Sequence, residues 1–200
     1  MAFPDPWDRI AETSMRHVLF IHGGGGGAFE ADAALADSLR RRLGAAYEVR
    51  YPRMPDEEEP DYPTWRRLIL EQVAEMGDGA ILAGHSIGAS VLARVMTDDD
   101  PPRAPMVAGV FVASAPFWHD HDFWRWDAVR LPENPAELWP ADVPLFLYHG
   151  DQDRSVPVEH LEMYARALPQ AEVRRLPGRD HQLGEEMGEM AGDVVGLVQR

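Results

Sequence analysis

The stretch Ala80-Ile81-Leu82-Ala83-Gly84-His85-Ser86-Ile87-Gly88-Ala89 sets Gly-x-Ser-x-Gly between an apolar run and a helix-like segment that continues to Thr97. Residues 80–83 read as a buried strand, 89–97 as a helix, and Ser86 as the apex of the turn joining them, a nucleophile elbow. A serine in so tight a turn takes a strained backbone conformation. Small residues two positions before and after it are needed because strand and helix nearly touch there. Gly84 and Gly88 supply them. Such a turn lifts the hydroxyl above the carboxyl end of a parallel sheet, within reach of a base, and aims the Ile87 N–H at a developing oxyanion. So short a pattern gains weight only if the rest of the chain supplies a base, an acid and a second oxyanion donor in order.

Composition permits such a domain. Two hundred residues, 45% of them hydrophobic and 26% charged, suit one domain over 1–200 with a sizeable core. With 34 acidic against 19 basic side chains the formal charge is −15, which disfavours nucleic acid and anionic membrane as partners. The chain has no cysteine, which excludes disulfides and a thiol nucleophile and fits a reducing compartment. Residues 1–8 carry neither a basic nor an apolar targeting region, and the longest apolar runs are too short to span a bilayer. These features lead to the expectation of a cytoplasmic protein.

Strand-like and helix-like patterns alternate along the chain. β-rich runs at 17–21, 47–51, 80–83, 107–113, 145–148 and 171–176 read as strands, the first continuously apolar. Between them, helices are expected at about 29–43, with Leu35, Leu39 and Leu43 on one stripe before Gly44, and after Pro63, with Trp65, Leu68, Ile69, Val73 and Met76. Others follow the elbow, open at Pro157 and contain Leu161, Tyr164 and Leu168, and close the chain with Met187, Met190, Val194 and Leu197. Six strands with crossover helices predict a single-domain three-layer α/β/α architecture around a doubly wound, mostly parallel six-stranded sheet. Ligands of such sheets sit at the carboxyl ends of the strands.

Two further loops follow predicted strands: His149-Gly150-Asp151-Gln152-Asp153-Arg154-Ser155-Val156-Pro157 and Gly178-Arg179-Asp180-His181. With the elbow they make the chain resemble a minimal α/β-hydrolase from His22-Gly23 to His181. Within that superfamily, Tyr51-Pro52-Arg53-Met54-Pro55 and Asp61-Tyr62-Pro63-Thr64-Trp65 resemble the small serine hydrolases related to the retinoblastoma-binding hydrolase. The family order of nucleophile, acid and base implies Ser86, then Asp153 in Gly-x-x-Asp-x-x-Val-Pro, then His181. Asp151 is the alternative acid. The superfamily's usual N-terminal antiparallel hairpin has no room, since only about fifteen residues precede the first strand.

The chemistry calls for these residue types. A serine hydroxyl attacks only when a neutral imidazole takes its proton, and a buried carboxylate must hold that imidazole in the right tautomer. Of the eight histidines, His181 best fits the base. His22 and His85 are expected to support glycine turns, and His17, His149 and His160 to be structural or surface residues. His119-Asp120-His121-Asp122 lacks a third spaced ligand, so no metal is expected. The run Gly23 to Gly27 is read as an oxyanion loop whose Gly24 N–H faces that of Ile87. Gly23-x-Gly25-x-x-Ala28 also satisfies a dinucleotide fingerprint, but no acidic residue tips the second strand to hold a ribose.

Four of the six tryptophans, Trp118, Trp124, Trp126 and Trp139, fall in the segment 117–140. Phe117, Trp118, Trp124 and Trp126 are expected to line an apolar acyl pocket in a short lid-like insertion, with packing over the sheet edge as the competing expectation. The combined reading is a serine hydrolase acting on a small carboxylic ester, thioester or amide through an acyl-enzyme on Ser86, without metal or organic cofactor. A weakly active, protein-binding version of the fold, using the acidic loop 56–59 and the tryptophans, is the alternative, and a dinucleotide-binding oxidoreductase the third. Oligomeric state is not legible.

Overall fold

Alternating side chains on six strands meet separate layers of helices on the two faces of one sheet. The computed structural model describes residues 15–119 and 123–197. Residues 1–8, read above for targeting, and Asp120, His121 and Asp122 of the polar run lie outside them. The elements run β1 (Arg16–Ile21), α1 (Ala28–Leu43), β2 (Tyr47–Arg50), α2 (Tyr62–Met76), β3 (Ala80–His85), α3 (Ser86–Val95), β4 (Val107–Ala113), α4 (Pro135–Leu138), β5 (Leu145–Gly150), α5 (Glu159–Ala167), β6 (Glu172–Leu176) and α6 (Gly188–Leu197). The sheet order is β2-β1-β3-β4-β5-β6, and every pairing is parallel. Among the described residues, no helix is long and apolar enough to cross a membrane.

Strand periodicity sorts the core. Val18, Phe20, Ile81, Ala83, Phe111, Phe146 and Tyr148 point to one face, where Leu35, Leu39 and Leu43 of α1 and Met190 and Val194 of α6 cover them. Leu19, Ile21, Leu82, Val110, Val112 and Leu147 point to the other, under Trp65, Ile69 and Val73 of α2, Val91 and Leu92 of α3 and Tyr164 of α5. The central strands β3 and β5 are buried throughout, whereas the edges β2 and β6 alternate with solvent.

Local chemistry explains most element boundaries. Asp61 caps α2 by accepting the Thr64 N–H at 3.0 Å. Pro63, expected in the preceding loop, lies in the first turn of that helix, where a missing N–H costs nothing. β5 runs two residues past its expected end because Gly150 still pairs with Leu176. α5 begins at Glu159 rather than Pro157, since 157–158 form the turn that precedes it.

Topology then builds the site. The chain passes from β1 to β2 through α1 on one face and from β2 to β3 through α2 on the other, so β1 and β3 lie side by side with Ile21 opposite Gly84. Their carboxyl ends, His22-Gly23 and His85-Ser86, therefore meet at the switch point of the sheet, where the diverging loops leave a crevice.

Candidate active site

Ser86 sits where β3 becomes α3, with φ of +51°, in the left-handed region that non-glycine residues avoid. The glycines around it are required by close approach. A Cβ on Gly88 would lie 2.2 Å from the His22 carbonyl oxygen, and one on Gly84 would lie 2.9 Å from the Ala89 backbone. Neither neighbour is a flexible side chain that could move aside. Gly88→Ala should therefore lower unfolding stability by more than about 4 kcal/mol, a loss beyond the ordinary range for one substitution, measured by chemical denaturation.

Two of the sequence-predicted residues, His181 and Asp153, come together with Ser86. His181 Nε2 lies 3.1 Å from Ser86 Oγ, and its Nδ1 lies 2.7 Å from Asp153 Oδ2. The carboxylate accepts, so Nδ1 carries the proton and Nε2 presents a lone pair to the serine hydroxyl. Asp153 Oδ1 accepts the N–H groups of Ser155 and Val156, each at 2.8 Å, and His149 Nε2 approaches Oδ2 at 3.3 Å. Burial alone would raise the Asp153 carboxyl. The hydrogen bonds from His149, His181 and the Val156 N–H outweigh it and hold the group well below the usual carboxylate range. Asp151 is placed differently: its Oδ1 accepts the Gly178 N–H at 2.7 Å, so it braces the turn before His181 without touching the ring. Gly150 lets the two loops close up, since a Cβ there would lie 2.2 Å from the Arg179 carbonyl oxygen.

The glycine loop closes the opposite wall. A Cβ at Gly23 would lie 3.2 Å from that of Ser86, and one at Gly24 would meet Ile87 Cδ1 at 2.7 Å. His22 supports this loop as a neutral ring: its Nε2 accepts the Met54 N–H at 2.9 Å while Nδ1 donates to the Gly23 carbonyl at 2.7 Å. Burial, the largest influence, pushes its pKa down. The hollow of about 190 Å³ beside Ser86 is lined by the glycine run, Asp32, His85, Ser86, His181 and Gln182.

Phe117, Trp118, Trp124 and Trp126 are not among the residues lining that hollow. Phe117 and Trp124 pack against α5 instead. The Phe117 N–H donates to His160 Nδ1 at 2.8 Å, Phe117 meets Tyr164 edge-on at 5.0 Å between centroids, and Trp124 lies 4.6 Å from His160. Trp118 contacts both Trp124 and Trp126. Burial pushes His160 down to about 4, which keeps its Nδ1 an acceptor and fastens the start of the segment. Phe117 and Trp118 border a separate cavity of about 730 Å³ with Leu131, Pro135 and Arg166. Phe117, Trp118 and Trp126 also pack against the core on that side of the sheet, so the segment is drawn to α5 rather than across the elbow.

Glu57 bears on the two rival readings. Its carboxylate accepts the Gly27 and Phe29 N–H groups, both at 2.9 Å. The start of α1, where a dinucleotide pyrophosphate would have to sit, is taken by a side chain of the acidic loop. Among the described residues no cluster of three or more His, Asp or Glu could hold a metal.

Among solved structures, a point variant of SOBER1 from Arabidopsis thaliana superimposes with a TM-score of 0.66 at 17% identity, covering 92% of this chain and 99% of that one. Est1E from Butyrivibrio proteoclasticus with bound ferulic acid gives 0.67 at 15% identity, covering 96% and 93%. The esterase domain of a Rhodothermus marinus protein gives 0.63 at 20% identity, covering 94% and 87%. At such identities the likeness shows the fold. No curated protein matches the chain. The sequence model of the alpha/beta hydrolase family matches residues 18–140, which take in β1, the glycine loop, the elbow and the aromatic segment, and the chain belongs to that family.

Proposed function

We propose that this chain is a serine hydrolase that cleaves a small carboxylic ester, thioester or amide through an acyl-enzyme on Ser86. The observation that carries the reading is the unbroken relay from Ser86 Oγ through His181 to Asp153, at 3.1 and 2.7 Å. As Oγ attacks the acyl carbon, His181 Nε2 takes its proton, and the ionised Asp153 stabilises the imidazolium that forms. The proton then passes to the leaving group, and water repeats the sequence on the acyl-enzyme. Charge on the carbonyl oxygen falls to the Ile87 N–H at the start of α3 and the Gly24 N–H; the Gly23 N–H is already committed to Asp32 at 2.7 Å.

The hollow also bears on the substrate. At about 190 Å³ it lies below the range of about 300–1,000 Å³ typical of ligand pockets, which favours short acyl groups. The direct experiment is a series of p-nitrophenyl esters of graded chain length beside fluorophosphonate labelling. Turnover falling from acetyl to octanoyl supports the reading; no turnover and no labelling overturns it. Trp124→Ala should cost about 3 kcal/mol of stability, as expected of a lost packed aromatic, while leaving the butyryl-to-acetyl ratio of kcat/KM unchanged. A flattened ratio would return Trp124 to the acyl site.

A further inference from the structure

One buried ionisable cluster beside the hollow has no part in the relay. Asp32 of α1 is 1% exposed, as is His85 at the end of β3. Asp32 Oδ2 accepts the Gly23 N–H at 2.7 Å and faces His85 Nδ1 at 2.8 Å, while Oδ1 accepts from Gln182 Nε2 at 3.0 Å. The other imidazole nitrogen, His85 Nε2, lies 2.8 Å from the main-chain carbonyl oxygen of His181.

Both ring nitrogens of His85 thus face oxygens that only accept. A backbone carbonyl has no proton to give, and Asp32, receiving donors at both oxygens, is satisfied as a carboxylate. A neutral imidazole would set a lone pair against one of these oxygens; an imidazolium donates to both. We infer that His85 is a resident imidazolium, paired with Asp32, and that the pair positions the loop carrying His181 against the elbow and the glycine loop. This rests on the reading of Ser86 and His181 given above, and it makes Asp32 and His85 positioning residues for that chemistry.

The pair ties three distant stretches of chain together. Asp32 holds Gly23 of the glycine loop, His85 immediately precedes Ser86, His85 binds the main chain of His181, and Asp32 binds its neighbour Gln182. Placement within a few tenths of an ångström is what such a relay needs. Electrostatics support the assignment. Burial would lower His85, yet the charge and hydrogen bond of Asp32 raise it, with a further contribution from the Asp153 charge. Asp32 is held below its usual range by His85 against its own burial. The groups facing His85 are Asp32 from α1, Asp153 from the loop after β5, and the His181 ring, 4.8 Å away between centroids.

Two measurements on the full chain test the inference. In nitrogen-15 spectra of the wild-type protein, both His85 ring nitrogens should carry protons and keep imidazolium shifts from about pH 5 to 8, a range over which an ordinary histidine titrates. An unprotonated His85 nitrogen at neutral pH would overturn the ion pair. In His85→Gln the cation beside His181 is lost, so the acid limb of kcat/KM should move to higher pH and kcat should fall about 10- to 100-fold, the size of loss seen when a hydrogen-bond partner that orients a metal-ligating side chain is removed. An unchanged limb and kcat would overturn the positioning role. If the variant does not fold, the wild-type spectra still decide the charge. Imidazolium shifts in a protein that hydrolyses no ester and takes no fluorophosphonate would uphold the pair and sink the hydrolase reading instead.

Discussion

Ser86→Ala should lower hydrolysis of p-nitrophenyl acetate by about 10⁴- to 10⁶-fold, with the circular dichroism spectrum and melting temperature close to those of the parent. The size of the effect follows from the unit nature of the relay: once the oxygen that attacks is gone, His181 and Asp153 have no proton to move. The fold should survive because Ser86 is a strained residue, at φ of +51°, whose Oγ has His181 as its partner. Alanine keeps the Cβ that the turn already accommodates. Labelling of the parent by a fluorophosphonate should map to Ser86 and vanish in the variant. Persistent turnover, or label on another serine, would show that the chemistry resides elsewhere.

Asp153→Asn should cost about 10⁴-fold in kcat, because the amide can present its N–H to His181 Nδ1 and so favours the tautomer in which Nε2 carries the proton and cannot accept that of Ser86. Asp151→Asn should be far milder, since Asp151 accepts from the Gly178 N–H and the Gln152 amide and does not touch His181. A larger loss from Asp151 than from Asp153 would reverse the assignment of the acid. Asp153 also links stability to pH. A carboxyl held down by folding contributes stability that is present above its unfolded pKa of about 3.9 and is lost as pH falls through the folded value. Denaturation midpoints should therefore decline below about pH 4, and the decline should be shallower in Asp153→Asn.

Much of this arrangement is written locally. The elbow is legible because its requirement is steric: Gly84 and Gly88 stand where a Cβ would strike backbone. The six strands are legible as β-rich runs bounded by turn residues, and the order Ser86, Asp153, His181 is what the family resemblance implies for three residues that each follow a strand. Asp32 was missed, although a signal existed. It lies on the same helical stripe as Leu35, Ala36, Leu39 and Leu43, all buried, and a carboxylate on a buried stripe demands a partner.

Strand identity, helix stripes and the turn at Ser86 come from the sequence, because each depends on residues within a few positions of one another. The partner of Asp32, the seat of Glu57 on the start of α1 and the course of the aromatic segment toward α5 come from the tertiary structure. Asp32 and His85 are 53 residues apart and Asp32 and Gln182 150 apart, and they meet only because β1 and β3 are neighbours at the switch point. Which buried charge finds which partner is settled by the low tolerance of an interior for unpaired polar groups once the sheet has formed. No local pattern carries that choice.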